Sequence, residues 1–383
     1  MKNNCNRKSR RIFRAAAILI GFTAVACTST ANSKEAKKEV QYTVSCSGLS
    51  SQMEGQTVYM SLYDNNMLID SAKIKDGKFT LNGTIHESSW ARLDVGREYA
   101  NFIAGEGDVI VDFKTHMPVK GNKVNMTYRK IQLYIEETED IFNAAIDSLR
   151  SLDIPEKEKL IGAKNLYGKY SDRMREQLKK MVLENGNNGV GHYIAVYYYN
   201  MYGEDNTDMW RDFYNGLSQW IKERKQIERI NNTVNAAIAT SEGGMFADLE
   251  GESVEGKASK LSDYVGKGKY VLVDFWASWC GPCIAEAKST LIPLHEKYKG
   301  SKNFMILGAA TWDKKELSLK AITEHSYDWE HIIDLGMTPM EVYGFSGIPM
   351  IILFAPDGRI VKRNLRGNAL VSAVESVAEL PER

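Results

Sequence analysis

The stretch that decides the fold is VLVDFWASWCGPC, residues 271–283. In it an apolar run typical of a buried strand leads into a Cys-x-x-Cys motif, where the pattern predicts the start of a helix. The positive dipole end and unpaired N–H groups of a helix N-terminus favour a thiolate. We therefore predict a redox-active dithiol with Cys280 as the nucleophile. Cys283, about one helical turn further on, is the predicted resolving thiol, which attacks a mixed disulfide on Cys280.

A structural zinc site is the main alternative for such a pair of cysteines. It would need four ligands, usually including a second close pair. The other cysteines are Cys5, Cys27 and Cys46, and none of the six histidines stands at ligand spacing from Cys280. We therefore predict no metal and no separate cofactor, because the redox group is the Cys280–Cys283 disulfide itself.

The start of the chain has the features of an export signal. The first 26 residues contain six basic residues and no acid, and the apolar stretch that ends them is about half as long as a membrane-spanning helix. Residues 1–26 are therefore predicted to be a signal peptide. Cys27 follows Ala24 and Ala26 in a pattern similar to a loose bacterial lipobox, so we expect it to carry a lipid anchor. Ordinary cleavage after Ala26 is the alternative.

The remaining composition indicates an exported globular protein. Without the signal peptide the chain has 43 basic and 49 acidic residues, so its charge does not favour nucleic acid as a partner. Residues 27–40 are small, polar or charged, and are typical of a tether. We expect a periplasmic or envelope-facing protein that is attached to the membrane through Cys27.

At 383 residues the chain is long enough for several domains. Residues 41–117 alternate with period two and contain a hairpin signal at Asp76-Gly77, which predicts an antiparallel β-sandwich-like module. Cys46 falls on its apolar face, where packing as a small hydrophobe is favoured over redox chemistry. Residues 118–242 have helical periodicity and are predicted to form an α-helical linker domain, whose many aromatic residues we assign to its core rather than to a peptide groove.

Strands and helices alternate from residue 243 to residue 383. The predicted strands cover residues 270–276, 304–310, 350–355 and 360–363, with helices after the first, the second and the last of them. Such alternation predicts an α/β domain with a mixed sheet covered by helices on both faces. The whole chain is therefore expected to be multidomain, with the α/β domain at its C-terminal end.

This C-terminal region resembles the thioredoxin superfamily, on residues 271–283 together with Gly347-Ile348-Pro349. An additional segment before the strand at Met350 is similar to the insertion of envelope proteins of the TlpA and ResA type. The resemblance implies a thioredoxin fold in which Pro349 is the cis-proline that shapes a groove for an extended substrate. It also implies that Asp274 is the buried acid that accepts the proton of Cys283, and burial is expected to raise its pKa. A purely structural Asp274 is the alternative.

The resemblance assigns further residues to the substrate groove, and these are Trp279, Gly281, Pro282, Ile348 and Gly367. One position, Lys288, differs from the family pattern, and another, Glu286, can be interpreted in two ways. Lys288 stands where thioredoxins kink the active-site helix with proline, and Glu286 matches a glutamate of the envelope branch but also suits an exposed helix position. The course of the helix after Cys283 is therefore left open by the sequence.

The expected activity is thiol-disulfide exchange with proteins of the envelope. Gly281-Pro282 is the dipeptide of thioredoxin, a reductant of about −270 mV, which favours the reduction of disulfides in exported proteins. Disulfide oxidation or isomerisation is the alternative, as is an anchored binding protein with an accessory redox domain. A peroxidase is disfavoured because the peroxiredoxin pattern P-x-x-x-T-x-x-C is absent before Cys280. A membrane electron donor or oxidant is expected, but the sequence does not identify it.

Overall fold

The computed structural model describes residues 39–105, 107–204 and 206–379. The predicted signal peptide, Cys27 and the tether up to residue 38 lie outside the described residues. Within them, every helix is too short or too polar to cross a bilayer. The chain clusters into two compact units: the first ends at Gly203 and also includes Asp212–Ile227, and the second takes in Glu204–Arg211 and the chain from Glu228 onward.

Eight strands of the first unit form two four-stranded sheets, in the orders β4-β1-β7-β8 and β3-β2-β5-β6. The strands are β1 (Val40–Ser47), β2 (Thr57–Leu62), β3 (Leu68–Lys73), β4 (Lys78–Ile85), β5 (Ser89–Val95), β6 (Glu98–Ala104), β7 (Gly107–Asp112) and β8 (Met117–Lys120). The prediction of an antiparallel module is wrong for one pair, because β1 and β7 are parallel. Five strands separate them in the chain, so no tight turn imposes opposite directions.

The turn predicted at Asp76-Gly77 joins β3 to β4. Both residues have positive φ, 52° and 63°, as a tight hairpin turn of the primed type requires. The two strands belong to different sheets, so the turn carries the chain from one sheet to the other. Cys46 is 5% exposed in the core between the sheets. Burial raises the pKa of its thiol to about 11, which disfavours the reactive thiolate.

A helical region follows the strands, as predicted. Its helices are α1 (Lys123–Ser151), α2 (Glu156–Glu184), α3 (Gly189–Tyr198), α4 (Thr207–Asn215), α5 (Gln219–Lys222) and α6 (Lys225–Ala239). Helices α1 and α3 pack with the β sheets, and α2 packs against these two helices. The side chain of Asn125 in α1 hydrogen-bonds both backbone groups of Ile103 in β6. Most of α6 lies in the second unit. The helices are therefore divided between the two units, because their apolar faces pack against different partners.

The second unit contains a five-stranded sheet in the order β13-β12-β11-β14-β15 and a small hairpin of β9 (Glu250–Glu252) and β10 (Ala258–Lys260). The sheet strands are β11 (Tyr270–Trp276), β12 (Phe304–Ala310), β13 (Glu330–Ile332), β14 (Met350–Phe354) and β15 (Ile360–Arg363). Strands β11, β12 and β13 are parallel, whereas β14 and β15 run antiparallel to their neighbours. The mixed sheet agrees with the predicted α/β architecture.

After α6, the helices of this unit are α7 (Gly281–Glu286), α8 (Ile292–Tyr298), α9 (Lys315–His325), α10 (Thr338–Tyr343) and α11 (Gly367–Glu375). Alternate residues of the central strand β11 face opposite sides of the sheet. Leu272 and Trp276 belong to the core on one side, and Val273 and Phe275 to the core on the other. Because β11 is covered on both faces, its sequence is an almost continuous apolar run.

Candidate active site

The two cysteines of the Cys-x-x-Cys motif form a disulfide where β11 gives way to α7. Their Cα atoms are 5.2 Å apart, and the two residues are only 3% and 2% exposed. Cys280 is the N-cap of α7, and its Sγ accepts a hydrogen bond of 3.1 Å from the backbone N–H of Cys283. The sulfur of Cys280 therefore lies where the helix N-terminus stabilises negative charge.

The helix that begins at Gly281 continues to Tyr298 in three segments. Between α7 and α8 the residues Ala287–Leu291 form a wider, π-helical turn. Lys288 lies within this turn, at the position where the resemblance leads one to expect a proline. A π turn is one of the few features that kink a helix without proline. The sequence left the course of the active-site helix open. In the structure the helix runs on without a break, and only its α-helical geometry is interrupted by the π-helical turn.

Asp313, in the segment after β12, anchors the loop that carries the first cysteine. Its carboxylate accepts hydrogen bonds from the backbone N–H of Ser278 at 2.6 Å and from the hydroxyl of Ser278 at 3.0 Å. Next to it, the indole Nε1 of Trp279 donates to the carbonyl of Trp312 at 2.9 Å, and the two indole rings meet edge to face. Neither Trp312 nor Asp313 was predicted from the sequence, because Asp313 lies 35 positions from its partner Ser278 in the chain.

The Ile348–Pro349 peptide bond is cis. Met350, directly after it, pairs with Phe275 near the end of β11, so the cis-proline lies beside the point where the dithiol loop leaves the sheet. Trp279, Gly281 and Pro282 are exposed around the covered sulfurs, and Ile348 is half-buried. These residues can form the wall of a groove for an extended peptide.

Asp274 lies in β11, six residues before the first cysteine, and is 4% exposed. Its Oδ1 has no hydrogen-bond partner among the residues that the structure describes. Burial raises the pKa of this carboxyl from 3.8 to about 7, against an opposing effect of Arg366, and Glu286 adds to the rise. A carboxyl with a pKa near 7 can both accept and release a proton at neutral pH.

Glu286 is half-buried, not the exposed helix residue that was one reading of the sequence. Its Oε1 accepts a hydrogen bond of 2.8 Å from the backbone N–H of Gly367. Arg366, directly before that glycine, is affected electrostatically by both Asp274 and Glu286. Arg366 was not predicted as a site residue, although its place directly before the predicted groove glycine is a signal in the sequence.

One further cluster has the donor types of a cation site. Ligand atoms of His295, Glu296 and Asp328 lie within 4.8 Å of one another, and both acids are exposed. Lys299 already forms an ion pair with Asp328. The cluster belongs to the end of α8 and the segment before β13, whereas the dithiol begins α7, so it adds nothing to the chemistry at the cysteines.

These features define a class of protein. A mixed sheet covered on both faces, a dithiol at the start of a helix, a cis-proline at the head of the neighbouring strand and a buried acid in the central strand are the marks of a thioredoxin-like protein. The comparisons with known proteins identify the family within that class.

Residues 243–363 match the AhpC/TSA family, and residues 42–128 match a domain of unknown function, DUF4369. The thiol-disulfide oxidoreductase ResA of Halalkalibacterium halodurans is 31% identical over 137 residues, which are 36% of this chain and 72% of that protein. ResA of Bacillus thuringiensis is 31% identical over 120 residues, which are 31% of this chain and 64% of that protein. In the latter case the match covers less than two thirds of the relative's length.

Among solved structures, the thioredoxin domain of a thiol-disulfide oxidoreductase from Bacteroides vulgatus is 35% identical, with a TM-score of 0.33. The match covers 36% of this chain and 96% of that domain. The chain belongs to the TlpA/ResA type of thioredoxin-like proteins. The predicted family is thereby confirmed.

Proposed function

We propose that this protein is a thiol-disulfide oxidoreductase that reduces disulfides of exported proteins. The observation that carries the proposal is the Cys280–Cys283 disulfide, whose first sulfur caps a helix N-terminus in a fold that also buries Asp274 in the preceding strand. The names of the ResA relatives support thiol-disulfide exchange as the reaction. Gly281-Pro282 between the cysteines supports the reducing direction, since thioredoxin carries the same dipeptide at about −270 mV.

The reaction begins from the reduced dithiol. The thiolate of Cys280 attacks one sulfur of a substrate disulfide, and the other substrate sulfur leaves with the electron pair and takes up a proton. Cys283 then gives its proton to the carboxylate of Asp274, and its thiolate attacks Sγ of Cys280. The bond between Cys280 and the substrate breaks, so the substrate is released with two thiols and the protein keeps the disulfide.

The substrate is proposed to lie as an extended segment across the exposed face around the cysteines. Trp279 is held over that face by its hydrogen bond to the carbonyl of Trp312, and Gly281 offers no side chain that would block an approaching backbone. The other proposed groove residues are Pro282, Ile348, Pro349 and Gly367. Each cycle ends with a disulfide, so a further protein must return two electrons, and we propose a membrane electron donor for this step.

The proposed place of action is the periplasm or another envelope compartment. The proposal relies on the export signal in residues 1–26 and on lipidation of Cys27, both of which are sequence predictions. A lipid anchor would hold the dithiol close to a membrane donor, and the tether of residues 27–40 would give it reach.

The test is the equilibrium reduction potential of the dithiol in residues 28–383, titrated against dithiothreitol and glutathione buffers. Cys46→Ala serves as the background, because it removes the one other cysteine of that segment, which the structure places in a core. A potential close to that of thioredoxin supports a reductase. A potential above about −150 mV would overturn this direction in favour of disulfide formation or isomerisation.

A further inference from the structure

Asp274, Gly308 and His331 form one row across three neighbouring strands. In the sheet register Asp274 of β11 pairs with Gly308 of β12, and Gly308 pairs with His331 of β13. Paired residues of parallel strands project to the same face of the sheet. Consistent with this, the ring of His331 meets that of Trp276, which belongs to the same face as Asp274, with centroids 5.8 Å apart.

Gly308, the middle residue of the row, has no side chain. The ring of His331 occupies the space that a side chain at this position would fill. A Cβ at Gly308 would lie 2.1 Å from Nδ1 and 2.4 Å from Cε1 of His331. Neighbouring strands are about 4.8 Å apart, so the imidazole lies about one strand spacing from the row position of Asp274. Because Gly308 has no side chain, the imidazole of His331 from the edge strand β13 can lie near the buried carboxyl of Asp274.

Both ends of this row carry buried polar atoms without a protein partner. Oδ1 of Asp274 and both ring nitrogens of His331 form no hydrogen bond to the described part of the chain, and His331 is 1% exposed. The backbone of Tyr327 acts on the imidazole and favours its protonated form, but neither ring nitrogen meets the geometry of a hydrogen bond to it. An unsatisfied buried polar group costs about 1–3 kcal/mol, and internal water molecules commonly satisfy such groups.

His331 also faces a cavity of about 660 Å³ on the same side of the sheet. The cavity is lined by residues from α8, α9, β12 and the segment that leads into β13, and its titratable and charged lining groups include Glu255, His295, Lys299, Asp328 and Glu330. The imidazole thus connects a water-accessible cavity with the row that ends at Asp274. The groups that act on Asp274 from other elements are Arg366, Glu286 and Tyr327.

We propose that His331 is a positioning residue for the buried acid, and that it connects Asp274 to solvent in this cavity through a water molecule held between its imidazole and the carboxylate. A neutral imidazole has one donor and one acceptor, so it can pass a proton by exchanging tautomers without carrying a net charge. Burial lowers the pKa of His331 to about 3, which keeps the ring neutral at working pH. This inference rests on the proposed thiol-disulfide exchange.

The proton balance is simple. When Cys283 resolves a mixed disulfide, its thiol proton goes to the carboxylate of Asp274, while the new bond to Cys280 releases the substrate sulfur with its electron pair. The proton on Asp274 then passes to the water between the two side chains, and this water gives a proton to the near ring nitrogen of His331. An equivalent proton leaves the far nitrogen of His331 for water in the cavity, and Asp274 is a carboxylate again.

The experiment compares His331→Phe with wild type and with the control His295→Phe. His331→Phe keeps an aromatic ring but removes both nitrogens, whereas His295→Phe removes an imidazole from the same cavity outside the Asp274 row. The first measurement is the titration of Asp274 by ¹³C NMR of labelled aspartate in the full chain, with Asp274→Asn to assign the signal. The second is the pH profile of resolution of a mixed disulfide on Cys280.

In His331→Phe we expect the pKa of Asp274 to rise, because the carboxylate loses its water-mediated partner, and resolution at pH 7 to slow by at least about tenfold. Alkylation of Cys280 by iodoacetamide should keep its wild-type rate. His295→Phe should change neither quantity. His331→Gln, which retains a donor and an acceptor but cannot exchange tautomers, should restore the pKa of Asp274. A wild-type titration of Asp274 in His331→Phe would overturn the proposal. That titration needs no catalytic activity, so it decides the role of His331 even if wild type reduces no disulfide.

Discussion

The backbone N–H of Gly367 donates a hydrogen bond of 2.8 Å to Oε1 of Glu286, which ties the start of α11 to the end of α7. Helix α7 carries Cys283, and Arg366 directly precedes Gly367. The contact therefore holds a glutamate and an arginine in the surroundings of Asp274. Their effects on the acid are opposite, since Arg366 lowers its pKa and Glu286 raises it. The proton affinity of Asp274 in β11 thus depends on residues from two other parts of the chain, the end of α7 and the start of α11.

Replacement of Arg366 by methionine should raise the pKa of Asp274 further above its ordinary value, because the carboxylate loses its favourable cation. The pH at which resolution of the mixed disulfide becomes fast should rise with it. The measurement is the rate of resolution between pH 6 and pH 9. Arg359→Met is a suitable control, because Arg359 is paired with Asp357 and is not among the groups that shift Asp274. Equal profiles for both variants would contradict the role given to Arg366.

The two cysteines should differ sharply in a trapping experiment. Cys280→Ser should abolish turnover, because it removes the thiolate at the helix N-terminus. Cys283→Ser should leave the first attack intact but prevent resolution, so the substrate stays bound through a mixed disulfide. Non-reducing electrophoresis and mass spectrometry of the captured proteins measure the difference. Equal yields of mixed disulfide from both variants would show that the roles of nucleophile and resolving thiol are wrongly assigned.

Replacement of Asp274 by asparagine should slow resolution by at least about tenfold at pH 7, because the variant lacks the general base for Cys283. In wild type the rate should rise as the pH passes the carboxyl pKa of about 7. In the variant it should rise only near the ordinary pKa of a thiol, about 8.5. Rapid-quench kinetics of a mixed disulfide on Cys280 measures both profiles. If the profiles coincide, Asp274 has a structural role only.

The same acid predicts how stability depends on pH. Its pKa is higher in the folded state, about 7, than the ordinary value of 3.8, so the folded protein binds the proton more tightly than the unfolded chain. The contribution of Asp274 to the free energy of unfolding is therefore complete below pH 4 and falls as the pH rises toward 7, by about 1.4 kcal/mol per unit at most.

Urea unfolding of the oxidised protein between pH 4 and pH 8 measures this slope. Asp274→Asn should lack it and should be more stable than wild type at pH 8. Other carboxyl groups contribute equally to both proteins, so the difference between them isolates Asp274. A variant that is less stable than wild type at pH 8 would contradict the burial of an ionisable, unpaired carboxyl.

Asp313→Ala should loosen the loop before Cys280. The carboxylate of Asp313 accepts hydrogen bonds from Ser278 and from the hydroxyl of Ser318, and their loss should lower the free energy of unfolding by about 1–3 kcal/mol. Turnover should fall as well, because the loop positions Trp279 and Cys280. Asp328→Ala, which removes an exposed ion-pair partner of Lys299, should change stability by less than about 0.5 kcal/mol. Thermal unfolding of both variants makes the comparison.

Much of the second unit could be predicted from the sequence. The predicted bounds are correct for three strands, Tyr270–Trp276, Phe304–Ala310 and Ile360–Arg363. Their short apolar runs differ from the longer period of apolar residues in helices and from the polar residues in turns. The position of Cys280 before a helix also followed from local pattern. The small hairpin of β9 and β10 was not predicted, since each of its strands has only three residues and too few apolar positions to establish a period.

The sequence by itself determined the main strands of the second unit, the cysteine pair and the presence of an acid in a buried strand, because all of these depend on neighbours within a few residues. Only the tertiary structure decided the parallel pairing of β1 with β7, the anchoring of Ser278 by Asp313, the charges around Asp274 and the row that joins it to His331. Each of these is a relation between residues far apart in the chain. The distances between these residues, and the exclusion of water around them, are set only when the sheet assembles. Those two quantities determine the strength of an electrostatic interaction or a hydrogen bond.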